Sequence, residues 1–290
     1  MKRLWRAVPR LWFQLAAAAF LLTVVAAAVL APWLSPHDPN KQSISARLMP
    51  PAWQGGGSTE YLLGTDELGR DVLSRLLHGA RTSVLIGVGV VLVTAVLGVA
   101  IGTLAGYVGG KFDAVVRWLM DTVLSLPGLL ISAALVFVLG ASVTTVIIAL
   151  SIEGWLVYCR MARGMVRTSR SMPYVDAATV VGVGLPRLLG RHILPNIVSP
   201  LITLSTLEFA RIVIAEATLS FLGLGIQPPL VSWGLMINNG GAYLTTAWWL
   251  ITLPGLALTL TALSANIVAN WVRQVSDPLQ RSGALLAVAR

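Results

Sequence analysis

Two stretches of this 290-residue chain, 82–110 and 217–272, contain no Asp, Glu, Lys or Arg. A helix crosses the hydrocarbon core of a bilayer with roughly 20 apolar residues. The first stretch suffices for one crossing, and the second is too long for one. Only 11% of the residues are charged, against about a quarter in an ordinary soluble domain. A single water-soluble core is a poor description of such a chain. The expectation is an all-α integral membrane protein.

The apolar runs predict six transmembrane helices, near 11–31, 82–110, 118–139, 143–158, 196–215 and 247–271. The first run follows Lys2, Arg3, Arg6 and Arg10. A basic start before an apolar run fits both a cleaved signal peptide and a retained anchor. A run of about 20 residues exceeds the 7–15 of a signal-peptide core, which favours the anchor. The segment that follows is rich in turn formers, with Pro36, Pro39, Pro50, Pro51 and Gly55-Gly56-Gly57. Within it Leu68, Val72, Leu73, Leu76 and Leu77 fall at helical spacing, with Arg70, Asp71 and Arg75 between them. This predicts an amphipathic helix over 66–81, lying on the membrane surface or packed on the protein's own spans. Lys111, Asp113 and Arg117 read as a short hydrophilic turn. The last uncharged stretch is broken at Gly223-Leu-Gly-Ile-Gln-Pro-Pro229, and Pro254 is a tolerated kink in the final span. The expected division is a tail and anchor at 1–32, an extracytoplasmic segment at 33–81, a core of five spans at 82–273, and a tail at 274–290.

Basic residues concentrate on the cytoplasmic side of membrane proteins. With the N-terminus inside, the inner segments hold fifteen Lys and Arg and the outer segments five. This places both termini and the 160–195 stretch, with its six arginines, in the cytoplasm. The net charge of +9 is then explained by orientation, with no nucleic acid partner required.

Within that stretch, residues 171–196 read as two short helices. Ser171 can cap the first and Pro173 suits its first turn. Gly182 and Gly184 can end it in a left-handed conformation. Pro186 opens the second helix, and Pro195 with Asn196 marks entry into the fifth span. Ala177 and Ala178 offer a flat face for close approach. A helix-turn-helix of this size cannot bury itself alone, so it implies a partner that fits over it.

Asp176-Ala177-Ala178, Gly182 and Leu194-Pro195 resemble the E-A-A…G…L-P loop of permease subunits in bacterial ATP-binding-cassette importers, with Asp176 in place of the usual Glu. The ending Arg191-His192-Ile193-Leu194-Pro195-Asn196 looks like the dipeptide and oligopeptide branch. Three further stretches agree with that branch: 63–71 running into Ser74-Arg75 and Gly79-Ala-Arg81, Gly106-Tyr-Val-Gly-Gly110 with Asp113, and 219–229 followed by Ser232-Trp-Gly234. The resemblance covers nearly the whole chain from about Trp33. It implies a type I ABC importer (MetI-like) permease fold in a bacterial inner membrane. It also implies a second related permease subunit, two ATP-binding-cassette ATPase subunits or domains, and an extracytoplasmic solute-binding protein. The coupling residues carried over are Tyr174, Asp176, Ala177, Ala178, Gly182, Pro186, His192, Leu194 and Pro195. Members of the branch carry dipeptides, oligopeptides, glutathione, nickel and some sugars; a peptide is the expected cargo.

Ionisable groups at membrane depth are costly and often functional. Glu153, Glu208, Arg211 and Glu216 are therefore candidates for a pathway or gate. Glu208 and Arg211, three residues apart, can equally pair and only fix packing. Asp121 lies one turn from Arg117 and is expected to pair with it. His37, His78 and His192 are scattered, so no metal is expected. The lone Cys159 excludes an internal disulfide. No catalytic constellation, cofactor motif or Gly-x-x-x-x-Gly-Lys-Ser/Thr phosphate loop is present. An ion-coupled secondary transporter and a membrane scaffold without transport are the rival readings, and neither accounts for a docking loop.

Overall fold

The computed structural model describes residues 4–276, with side chains from Leu11 to Val275. Lys2, Arg3 and most of the expected C-terminal tail, 277–290, lie outside the described residues. Among the described residues the regular structure is helical, with one isolated bridge between Thr65 and Asp71. The α-helices are α1 Leu4–Leu34, α2 Val72–Val108, α3 Gly110–Leu124, α4 Gly128–Leu139, α5 Val143–Arg170, α6 Pro173–Val180, α7 Leu185–Arg187, α8 Leu194–Phe221, α9 Trp233–Gly240 and α10 Trp249–Ser276. Five helical stretches are long and apolar enough to cross a membrane: Leu11–Leu34, Val72–Val108, Val143–Arg170, Leu185–Phe221 and Trp249–Val275. The bent pair α3 and α4 makes a sixth where the two are counted as one span.

Several boundaries differ from expectation. The amphipathic helix over 66–81 does not exist as a separate element, because α2 begins at Val72 and runs on to Val108. Asp71 starts it, accepting hydrogen bonds from the Ser74 amide (2.9 Å) and hydroxyl (2.5 Å), as an N-cap residue does. Arg70 and Arg75 looked like a solvated face but are buried. Lys111, Asp113 and Arg117 belong to α3 rather than to a turn. The third span is not straight: α3 and α4 meet at 82° across Ser125-Leu-Pro127. Pro127 lacks an N–H and disfavours helical backbone at Leu126, so the helix ends there. The fourth span continues through Arg170. The loop after the fifth span contains α9, which an uncharged sequence gave no reason to expect.

The chain forms two compact units. The first takes in residues up to Val90, Leu129–Leu150 and Phe209–Ala265. Its polar anchor is Asp66, whose carboxylate accepts from the Leu68 and Arg70 amides (both 2.9 Å) and from Arg70 Nε (2.6 Å), and lies 3.2 Å from Arg75 Nε. Arg75 also donates to the Pro39 carbonyl (3.2 Å). Two tryptophans tie distant segments to this turn: Trp249 Nε1 donates to the Thr65 carbonyl (3.1 Å) and Trp233 Nε1 to that of Leu76 (3.0 Å). Around them Val72, Ala80, Val231, Met236 and Leu250 form an apolar core.

The second unit comprises Val91–Gly128, Ser151–Glu208 and the residues from Asn266 on. Here α2 and α5 meet along three glycines one turn apart. A Cβ on Gly98, Gly102 or Gly106 would lie 2.4, 2.4 or 2.6 Å from the carbonyl oxygen of Trp155, Cys159 or Arg163. Small residues let helix backbones approach in this way within membranes. Gly164, on the same α5, meets nothing within 4 Å. Gly102→Ala is therefore expected to destabilise by about 1–3 kcal/mol through overpacking. Gly164→Ala is expected to be neutral or to stabilise by up to about 1 kcal/mol through helix propensity. Unfolding midpoints in detergent read the difference in sign.

Candidate functional site

Residues 171–196, the loop with the helix-turn-helix pattern, lie wholly in the second unit. α6 starts at Pro173, and its N-cap residue, Met172, is extended and makes no side-chain cap hydrogen bond. Ser171 is not the cap expected; its hydroxyl donates back to the Thr168 carbonyl (2.9 Å) and finishes α5. Val175 is the buried side chain of α6, while Asp176 and Ala177 are exposed. Asp176 sits in the first turn, where a negative charge favours the helix dipole.

The end of α6 is a Schellman motif. The Val183 amide donates to the Ala178 carbonyl and the Gly182 amide to that of Thr179, each at 3.0 Å. Gly182 carries the left-handed residue at φ +82°, a conformation costing about 1–2 kcal/mol with a side chain. Gly184 behaves otherwise than expected. It is extended (φ −64°, ψ 149°) and begins α7, with Pro186 in the first turn.

The second helix is not a separate short one. α7 passes through a π-helical segment, Leu188–Ile193, directly into α8. The Leu194 amide donates to Leu189, five residues back. Pro195 has no N–H to offer the preceding turn, and the Asn196 side-chain amide donates instead to the His192 carbonyl (2.8 Å). Pro195 and Asn196 thus mark a change of helical register rather than the start of a span.

These pieces share one core. Val175, Leu188, Leu189, Ile193 and Ile197 are buried against Tyr158, Ala162 and Val166 of α5, with Ala178 and Leu194 half-buried beside them. The tip is the opposite: Val180 is 88% and Val181 82% exposed. Tyr174 and Pro186 are exposed, and His192 is half-buried. The arrangement is a rigidly rooted knob with an apolar tip.

A polar latch holds α3 to α5 in the same unit. Arg163 donates to both carboxylate oxygens of Asp113, through Nε and through Nη2 (2.9 Å). Arg117 pairs back to Asp113 (3.3 Å) rather than forward to Asp121. The latch leaves no local sequence pattern, because Arg163 lies 50 residues beyond Asp113.

The pathway candidates are spread over both units. Glu216, in the first, is completely buried and accepts from Ser83 (3.0 Å) and Ser220 (2.8 Å). Ser220 in turn accepts from the Ile226 amide (3.0 Å), which ties down the loop after α8. Arg211, also in the first unit, is half-buried. In the second, Glu208 is buried and Glu153 is half-buried. The Glu153 carboxylate fills the space where a Cβ on Gly128 would stand, 1.9 Å away. His37 Nδ1 lies 3.7 Å from Asp71 and makes no hydrogen bond among the described residues, whereas His78 Nδ1 lies 3.0 Å from the Ser74 carbonyl one turn back.

Residues 98–282 match the family described as the binding-protein-dependent transport system inner membrane component, and residues 2–51 match the N-terminal transmembrane domain of oligopeptide transport permease C. The di/tripeptide transport system permease protein of Pseudomonas aeruginosa is 39% identical over 284 residues, 98% of this chain and 94% of that one. The dipeptide transport system permease protein of Haemophilus influenzae is 37% identical over 89% of this chain and 88% of its own. That of Escherichia coli is 38% identical, with 89% and 86% covered.

The latch yields a stability test. Asp113→Ala leaves Arg163 largely enclosed without a counter-charge and is expected to destabilise by about 3 kcal/mol. The double variant Asp113→Leu, Arg163→Met removes both charges and is expected to recover most of that loss in a thermal unfolding measurement.

Proposed function

Because the chain belongs to the family of binding-protein-dependent transport system inner-membrane components, we propose that it is the permease subunit of an ATP-driven importer of short peptides and forms half of the translocation path. The peptide cargo rests on the relatives, which are named as di/tripeptide and dipeptide permeases. The observation that carries the mechanism is the knob. Its base is buried with α5 and the start of α8, while its tip exposes Val180 and Val181. A partner that grips the tip therefore moves two membrane-spanning helices as one lever.

The partner is an ATPase, a separate subunit, since the sequence holds no phosphate-binding loop. A second related permease completes the path, and an extracytoplasmic binding protein presents the peptide. Both termini and the knob face the cytoplasm, in keeping with the excess of Lys and Arg in the segments assigned there. Closure of the ATPase pair drives the knobs together, and the spans rock between inward-open and outward-open states. Tyr174, Asp176, Ala177 and Ala178 extend the gripped surface from the tip back along α6. Gly182 and Pro186 set its turn, and His192, Leu194 and Pro195 join it to α8. Glu153, Glu208 and Arg211 are assigned to the path or its gate. Glu216, enclosed by serines, braces the first unit and reaches the path only through it.

Two experiments follow. A tagged chain is expected to bring down a second permease and an ATPase; isolation alone, with peptide uptake into vesicles that needs no ATP, would exclude this reading. Gly182→Val is expected to cut uptake at least about ten-fold while the assembled complex still hydrolyses ATP. Gly182→Asn, which tolerates left-handed backbone, is expected to keep uptake near the wild-type rate. Transport and phosphate release measured on the same proteoliposomes separate the two outcomes.

A further inference from the structure

The third span breaks inside the second unit. α3 ends at Leu124, Pro127 follows without an N–H, and the helix restarts at Gly128. A helix start leaves its first amides without intrahelical acceptors, and lipid offers none in their place. Glu153 stands at that point. It lies ten residues into α5 and is half-buried, and its carboxylate fills the space over Gly128 that a Cβ would need. The juxtaposition suits both sides. A carboxylate at this depth is costly when alone, and a helix N-terminus carries the partial positive charge that favours it. The backbone that bears Glu153 is itself fixed, because Gly154 packs on Thr94 of α2, with a Cβ position 2.6 Å from the Thr94 methyl.

α3 is thereby held to α5 at two separated points. Near its start Asp113 accepts both hydrogen bonds from Arg163. Along its length Val116, Met120 and Val123 pack with Leu156 and Cys159. Just beyond its end Gly128 meets Glu153. The knob continues from the same α5, with α6 starting three residues after Arg170. We propose that Glu153 is a positioning residue of the transport cycle: it clamps the break in the third span to α5, so that the break travels with the knob. This role rests on the importer reading above and narrows Glu153 to the gate. It acts through Gly128 and does not touch the cargo.

The test uses the complex with its partners in proteoliposomes and labelled dialanine as the probe. Uptake and phosphate release are measured on the same sample, per assembled complex. Glu153→Ala removes the carboxylate, and Gly128→Ala displaces it. Each is expected to cut the maximal uptake rate at least about five-fold, with the KM for dialanine unchanged and phosphate release continuing. Both changes break one contact, so the double variant is expected to be no slower than the slower single one. Glu153→Gln keeps the length of the side chain and an acceptor oxygen, and is expected to retain most of the wild-type rate. Undiminished uptake in Glu153→Ala, or losses that multiply in the double variant, would overturn the proposal. So would a raised KM with Glu153→Gln as slow as Glu153→Ala, which would put the charge on the cargo instead. Wild-type uptake that proceeds without ATP would remove the importer reading and this role with it; ATP-driven uptake undiminished in Glu153→Ala removes this role alone.

Discussion

Gly98, Gly102 and Gly106 seat α2 directly on the carbonyls of α5, and the second unit is built outward from that contact. With no Cβ between them the two backbones meet at a distance that no larger residue allows. Everything hung on α5 inherits its position from this seam. Asp113 reaches Arg163 one turn beyond Cys159 and fixes α3. Arg170 reaches the Tyr107 carbonyl and fixes the end of α2. α6 follows α5 after Ser171 and Met172, so the placement of the knob descends from the same glycines.

The two units solve the same problem differently. Apolar spans can slide and rotate against each other, because lipid is as apolar as their side chains. Polar contacts give them register. In the first unit that register comes from three buried carboxylates: Asp66 and Asp71 hold the turn and helix start at 66–75, and Glu216 accepts from Ser83 of α2 and Ser220 of α8. In the second it comes from close backbone contact and the Asp113 latch. Buried charges of this kind are expensive unless fully partnered. Spending them on turns and helix starts leaves the mid-span surfaces free for a translocation path.

Much of this was legible in the sequence. The uncharged runs gave the helical class and nearly every span. Gly182 could be read as a left-handed stop because a glycine followed by an apolar residue suits a Schellman turn. Other features were hidden by the range over which they act. Arg75 looked like a surface charge because its partners, Pro39 and Asp66, come from the preceding loop. The break at Pro127 sat inside a run whose hydropathy stayed high on both sides. The π segment before Pro195 depends on a missing amide and on the Asn196 side chain, and neither leaves a periodic trace. The glycine seam was readable in principle, as Gly-x-x-x-Gly-x-x-x-Gly, but spacing alone does not say which helix it meets. Ser171 and Gly184 looked like a cap and a stop, and each serves the neighbouring element instead.

The central claim is that the α6 tip is the part of this chain an ATPase holds. It can be tested with one reactive thiol, because Cys159, the only cysteine, is buried. Val180→Cys and Ile44→Cys place equally exposed thiols, both wild-type side chains being 88% accessible, on the knob and on the segment after α1. In the complex purified with its partners, a short bifunctional cross-linker is expected to join position 180 to the ATPase and to leave position 44 unlinked to it. Cross-linking of the ATPase at position 44 with none at position 180 would contradict both the coupling role of the knob and the orientation of the chain.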